Sequence, residues 1–225
     1  MARPRTPKGR ATRAHERLAA EYPDAEVELD HENTFQLLVA TILSAQATDA
    51  GVNKVTPALF ERFAEPESFA ALEPSDLEPH LATLPLFRQK SKSLVGMARL
   101  LLDDYDGEVP GPVDDLVRLP GVGRKTANLV RSVSLGLPGL VVDTHVKRLS
   151  GLLQLTDETD PVKIELALNP MIPASERGEF SRRLILHGRR VCVARTPRCE
   201  DCVLNDFCPH PGSEPVEIDL SRPRR

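Results

Sequence analysis

Two glycines around one apolar residue, followed closely by a lysine, are the feature that most constrains this chain. The stretch Leu119–Lys125 reads Leu-Pro-Gly-Val-Gly-Arg-Lys, and the segments on either side, 113–119 and 124–133, have the apolar spacing of helices. Gly121 and Gly123 permit positive φ and carry no Cβ, so another backbone can approach them closely. The pattern predicts a helical hairpin whose N–H groups, together with the positive end of the second helix, bind an anion such as a phosphodiester.

Helical signals also dominate the rest of the chain. Asn33 is a good N-cap for a helix through Ala45 that is too apolar for a surface position, and Asp49 is expected to cap the next helix. Further helices are predicted over about 12–22, 52–63, 67–72, 76–84, 89–105, 144–149 and 175–190, with another opening at Asp160-Pro161. No segment alternates with a period of two over a useful length. We therefore predict an all-α fold.

Charge alone gives a mixed indication about nucleic acids. The formal net charge is −4, but residues 177–198 contain seven arginines and one acid, Glu179. A localised basic surface is sufficient for phosphate contact, although a solvated charged helix has the same composition. The basic residues 1–13 are expected to form a mobile arm that contacts DNA weakly, or a plain disordered terminus. The absence of tryptophan argues against a stacking platform for single strands.

The four cysteines predict a metal site. They lie in one window, residues 192–208, with the spacing Cys-x6-Cys-x2-Cys-x5-Cys. Cysteines confined in this way are typical of metal binding in a reducing compartment rather than of a disulfide framework. The residues alone leave zinc and a 4Fe-4S cluster equally open. No apolar stretch is long enough to span a bilayer and no signal peptide is evident, so we expect no membrane contact and a cytoplasmic location.

Two residues are candidates for catalysis. Lys125 opens the second hairpin helix, where the helix dipole and partial burial would favour an uncharged, nucleophilic amine; the same lysine could merely pair with a phosphate. Asp143 precedes Thr144-His145 and is expected to cap a helix, a role compatible with accepting a proton.

Four pieces of the sequence together resemble the endonuclease III family of helix-hairpin-helix DNA glycosylases. They are the hairpin, Leu43–Asp49 (Leu-Ser-Ala-Gln-Ala-Thr-Asp), Val142–Val146 (Val-Asp-Thr-His-Val) and the cysteine spacing, in matching order and separation. The resemblance implies two helical domains with an active cleft between them. One domain is a six-helix bundle, residues 27–137, that ends in the hairpin. The other is a discontinuous iron–sulfur domain, residues 1–26 and 138–225.

The resemblance also implies an activity and its residues. The family removes oxidised or ring-saturated pyrimidines from duplex DNA and cuts the strand at the resulting abasic site. Lys125 would be the nucleophile and Asp143 the base. A 4Fe-4S cluster would be held by Cys192, Cys199, Cys202 and Cys208. The DNA contacts would come from Gln46, Leu86, Arg88, Gly121, Val122, Gly123, His145, Arg195 and Arg198. We further expect a monomer associated with the nucleoid.

One stretch departs from the family pattern. Where the family has Gly-Leu-Tyr-Asn-Ser-Lys-Ala, residues 85–91 read Pro-Leu-Phe-Arg-Gln-Lys-Ser. Pro85 should stiffen the loop, and Arg88 introduces a charge where the family tends to have an amide. Two alternatives stay open at this point: a monofunctional adenine glycosylase of the same superfamily, which lacks this lysine and has a further C-terminal domain, and a non-catalytic DNA-binding module.

Overall fold

The structure is a computed structural model that describes residues 3–210, and all of the regular secondary structure within that range is helical. This confirms the all-α prediction. Residues 1–2 of the predicted basic arm and residues 211–225 of the predicted iron–sulfur domain lie outside the described residues. Twelve α-helices occur in the described range: α1 (Pro7–Glu21), α2 (Thr34–Leu43), α3 (Asp49–Asn53), α4 (Thr56–Arg62), α5 (Pro66–Ala70), α6 (Pro74–Leu81), α7 (Phe87–Tyr105), α8 (Val113–Leu116), α9 (Arg124–Val133), α10 (Thr144–Leu152), α11 (Pro161–Leu168) and α12 (Arg177–Arg190).

The chain divides into two compact units, each with its own apolar core. Of the described residues, 27–139 form the first, which we call the hairpin unit, and 3–26 with 140–210 form the second, which we call the cysteine unit. In the hairpin unit α2 is buried on every side, and α7 packs against α5 and α6. In the cysteine unit α12 packs against α1 and α10. No helix in the described part of the chain is long and apolar enough to cross a membrane.

The segment after α2 differs from the prediction. Thr48, not Asp49, is the N-cap: its side chain accepts a hydrogen bond from the Gly51 amide, and Asp49 is the first helical residue. The predicted single helix over 52–63 is two helices, α3 and α4. Pro57 lies in the first turn of α4, where its missing N–H and fixed φ are tolerated, so it starts a new helix instead of continuing the old one.

The expectation of a mobile or disordered N-terminal arm is wrong for the residues from Arg3 onward. The helix α1 begins at Pro7 with Thr6 as its N-cap. The Arg3 side chain donates a hydrogen bond to the Asp206 carbonyl, and the Arg10 side chain donates to the Leu153 and Gln154 carbonyls. These basic residues therefore hold α1 in the cysteine unit.

Several arginines of the segment 177–198 are engaged within the protein and do not face solvent freely. Arg177 donates to the Asn169 carbonyl, Arg182 to the Ala25 carbonyl and Arg183 to the Tyr22 carbonyl. Desolvation by burial lowers the pKa of Arg182. The expected localised basic surface, like the alternative of a solvated charged helix, is therefore wrong for these three arginines, because they anchor neighbouring backbone within the unit.

Candidate nucleic-acid site and cysteine site

The hairpin turn uses its two glycines differently. Gly121 has φ of +82°, and a Cβ there would lie 2.8 Å from the Ser93 Cβ. A side chain at this position would therefore be strained and would also collide with α7. Gly123 has an ordinary φ of −95°, and a Cβ there would meet no atom of residues 3–210 within 4 Å. The expectation of positive φ is right for Gly121 and wrong for Gly123, where the missing side chain instead leaves the approach open.

The helix α9 begins without a side-chain cap. Gly123 is its N-cap residue and can offer no side-chain acceptor to the first N–H groups. Val122, the residue between the two glycines, is buried at 7% exposure and fixes the turn in the core. Lys125 is the second residue of the helix and is exposed, so the expected partial burial of its amine is wrong. Any desolvation of this amine has to come from a bound ligand.

The helix α10 begins with a carboxylate of its own. The Asp143 Oδ1 accepts hydrogen bonds from the His145 and Val146 amides, both at 2.8 Å, as predicted for an N-cap. No hydrogen bond from residues 3–210 reaches Oδ2. The cap therefore fixes the carboxylate and leaves one oxygen for a further partner.

His145 lies at a close approach between two helices. A Cβ on Gly188 of α12 would lie 2.9 Å from both the His145 Cβ and its Nδ1. Arg148, which sequence reasoning missed, spans the same contact: it donates to the Gly188 carbonyl at 3.0 Å and to the Cys192 carbonyl at 2.7 Å. The helix that carries Asp143 is thus tied directly to the first cysteine.

Gln46 and Leu86 share an unusual backbone. Both are non-glycine residues with positive φ, +55° and +58°, and both are exposed, Leu86 by 54%. Such conformations cost about 1 to 3 kcal/mol and concentrate at ligand-binding positions. Arg88 is an exposed side chain that lies 3.7 Å from Glu78 and stacks over the Phe87 ring. These three predicted residues are therefore accessible in the hairpin unit.

A buried lysine one turn beyond Leu86 escaped sequence reasoning. Lys90 is 3% exposed, and its Nζ has no hydrogen-bond partner among the described residues. Desolvation by burial lowers its pKa. The stretch Pro-Leu-Phe-Arg-Gln-Lys-Ser contained this lysine, but nothing in the pattern indicated its burial.

The four cysteines line one pocket. All four are free thiols, and Leu152, Val191 and Pro197 supply part of the apolar wall. Burial raises the pKa of the Cys202 thiol to about 12, so thiolates here need a cation to stabilise them. No three His, Cys, Asp or Glu side chains between residues 3 and 210 are grouped as a site for a single metal ion. Four thiols around one pocket fit a four-thiolate metal centre, and their chemistry alone suits a 4Fe-4S cluster and a zinc ion equally.

The two arginines of the cysteine loop differ. Arg195 is exposed and has no partner among the described residues. Arg198 is also exposed, but its guanidinium donates to the Arg190 carbonyl and its amide to the Val191 carbonyl. Arg198 therefore closes the end of α12, and Arg195 is the freer of the two for an external anion.

Comparison with known proteins decides the family. The model of the HhH-GPD superfamily of base excision DNA repair proteins matches residues 39–174, and the iron–sulfur binding domain of endonuclease III matches residues 192–208. The endonuclease III of Synechocystis is 47% identical over 90% of this chain and 93% of its own length. The chain belongs to the endonuclease III family.

Solved structures of endonuclease III support the same family assignment. A trapped covalent intermediate of endonuclease III with DNA and a non-covalent endonuclease III–DNA complex each match with a TM-score of 0.83 and 41% identity, over 90% of this chain and 95% of theirs. This chain is thus a base excision repair DNA glycosylase and AP lyase, and its cofactor is a 4Fe-4S cluster. The two alternatives left open by the sequence, the adenine glycosylase and the non-catalytic module, are set aside.

Proposed function

We propose that this enzyme removes oxidised or ring-saturated pyrimidines from duplex DNA and then cuts the strand, with Lys125 as nucleophile and Asp143 as proton acceptor. The observation that carries the proposal is the start of α9: an uncapped helix end, an open approach at Gly123 and an exposed amine two residues later. The trapped covalent intermediate solved for an endonuclease III supports a covalent route.

The reaction proceeds in two bond exchanges. The uncharged Lys125 Nζ attacks C1′ and forms a C–N bond, while the glycosidic bond breaks and the base departs with its electron pair and takes a proton from water. The proton that the amine releases passes through Asp143 to O4′ as the C1′–O4′ bond breaks, which opens the sugar to a protonated Schiff base. Loss of a proton from C2′ then expels the 3′ phosphate by β-elimination. Asp143 takes up the proton released by the attacking amine through Oδ2, because Oδ1 is held by two backbone N–H groups.

The proposed DNA contacts are based on side-chain exposure and on the backbone conformation at each position. We propose that the N–H groups of residues 121–123 bind a phosphate at the open start of α9. Gln46 and Leu86 fill the gap left by the extruded nucleotide, since both project from strained, exposed positions. Arg88, His145, Arg195 and Arg198 contribute further contacts. Arg195 is favoured over Arg198, which is engaged at the end of α12.

The cluster serves a structural role in this proposal. Cys192, Cys199, Cys202 and Cys208 are its ligands, since all four line one pocket. When bound, the cluster supplies a rigid covalent cross-link. Arg148 transmits this rigidity, because it joins the Cys192 carbonyl to the helix that carries Asp143. We further propose that the enzyme acts as a monomer in the cytoplasm at the nucleoid.

A panel of otherwise identical duplexes tests the proposal. Each duplex carries one modified base or an abasic site, and single-turnover excision and nicking are measured separately. Ring-saturated thymine and the abasic site should be processed fastest, and an adenine mispair should not be processed. Preference for an oxidised purine, or excision without nicking, would contradict it.

A further inference from the structure

A buried histidine connects the cysteine site to α1. His187 lies in the last turn of α12 and is 1% exposed. Its Nε2 lies 3.2 Å from the Cys202 Sγ, and its Nδ1 lies 3.2 Å from the Tyr22 hydroxyl. Tyr22 is itself only 7% exposed. The three polar groups therefore form a continuous chain inside the cysteine unit.

The direction of this chain follows from the chemistry of the sulfur. Iron binds the thiolate, and a thiolate can accept a hydrogen bond but cannot donate one. The His187 Nε2 must then carry the proton that lies between it and Cys202. In the neutral ring Nδ1 is the acceptor, so the Tyr22 hydroxyl donates to it. Each link has one donor and one acceptor.

The surroundings hold this histidine in place. The Tyr22 carbonyl accepts a hydrogen bond from the Arg183 side chain, which comes from the same helix as His187. The Cys192 amide donates to the His187 carbonyl at 2.8 Å. His187 is thus fixed through its backbone at one ligand and through its ring at another. A hydrogen bond in such a buried place is electrostatically stronger than one in water.

We propose that His187 donates a hydrogen bond from Nε2 to the Cys202 sulfur and thereby raises the reduction potential of the cluster, with Tyr22 holding the ring in the required tautomer. Hydrogen bonds to cluster sulfurs stabilise the more negatively charged, reduced state. The inference rests on Cys202 being a cluster ligand, as proposed above. His187 is a positioning residue and takes no part in base excision.

The test measures the cluster potential in four variants of the full-length, iron-loaded protein. His187→Phe keeps a ring but removes the donor, and should lower the one-electron midpoint potential by an amount equal to about a tenfold change in the equilibrium constant, about 59 mV. His187→Gln keeps an N–H donor and should restore most of the shift. Tyr22→Phe should give a smaller decrease. Tyr105→Phe, in the hairpin unit, is the matched control and should leave the potential unchanged.

A wild-type measurement covers the case in which His187→Phe does not fold. Protein labelled with ¹⁵N only in histidine should show nitrogen coupling to the cluster in its paramagnetic state, and His187→Gln should lose it. An unchanged potential in fully loaded His187→Phe, or no coupling in wild type, would overturn the inference. Iron retained by Cys202→Ala would instead refute the ligand assignment, and DNA nicking is scored separately so that failure of the proposed function is recognised on its own.

Discussion

The starts of α9 and α10 carry the proposed chemistry and are built in opposite ways. The helix α9 begins at Gly123 with no side-chain cap, with open space where a Cβ would be, and with an exposed amine at Lys125. The helix α10 begins at Asp143, whose Oδ1 accepts from two of its own amides. The N–H groups at the start of α9 are available to an external anion, whereas those at the start of α10 already bind the Asp143 carboxylate.

This difference supports the two proposed roles. A helix end without an internal acceptor attracts a phosphate, which brings the sugar to the nearby amine. A helix end that binds its own carboxylate holds that group in one orientation. The second carboxylate oxygen is then already positioned to accept a proton. If the two helix starts were exchanged, a carboxylate would lie where the phosphate binds, and the amine would lie where no phosphate brings the sugar to it. The following changes test this contrast.

Lys125→Gln should have the largest effect. Removing the nucleophile should lower single-turnover nicking by about 10⁴-fold, whereas duplex affinity should change only a few-fold, because the backbone N–H groups stay in place. Lys163→Gln is the control, since Lys163 is an exposed lysine in the first turn of α11. Comparable nicking by Lys125→Gln and wild type would break the contrast.

Asp143→Asn should come next. Asparagine caps a helix as well as aspartate does, so the melting temperature should hold while turnover falls by about 10² to 10³-fold. Asp160→Asn provides the comparison, because the Asp160 Oδ1 caps α11 in the same way, accepting from the Val162 and Lys163 amides, both at 3.0 Å. Equal activities of the two variants would reduce Asp143 to a structural cap.

Gly123→Ala tests the open start of α9 itself. A methyl group there meets no atom of the described part of the chain within 4 Å, so stability should be unchanged. It would, however, lie in the path of a phosphate and weaken duplex binding about tenfold. Gly121→Ala should instead destabilise the fold by about 1 to 3 kcal/mol, given its positive φ and the contact with Ser93. Binding by Gly123→Ala at wild-type strength would show that the phosphate lies elsewhere.

Lys90 is the buried opposite of Lys125, and its replacement should have the smallest effect. Its pKa is lowered in the folded protein, so the unfolded chain binds more protons between that lowered pKa and 10.5. The contribution of this group to stability is therefore lowest below its folded-state pKa and rises as the pH passes through that window. Lys90→Met should raise the unfolding free energy by about 1 kcal/mol near neutral pH and remove this rise. Exposed Lys92→Met should do neither, and a loss of stability in Lys90→Met would contradict the reasoning.

Local signals in the sequence predicted much of this structure, and long-range partners account for the rest. The helix α9 and the Asp143 cap follow from spacing and capping residues within a few positions. The anchoring of Arg182 on Ala25 joins residues 157 positions apart, and the contact of His187 with Tyr22 joins residues 165 apart. Neither pairing leaves a local pattern. The different uses of Gly121 and Gly123 likewise depend on α7, which supplies Ser93.

Mapping the covalent adduct tests the central claim most directly. Wild-type enzyme is incubated with a duplex that carries one ring-saturated thymine, reduced with borohydride, digested and sequenced by mass spectrometry. The account predicts one modified peptide, with the sugar attached to the Nζ of Lys125. Attachment to any other amine, or turnover of the duplex without a trapped adduct, would contradict it.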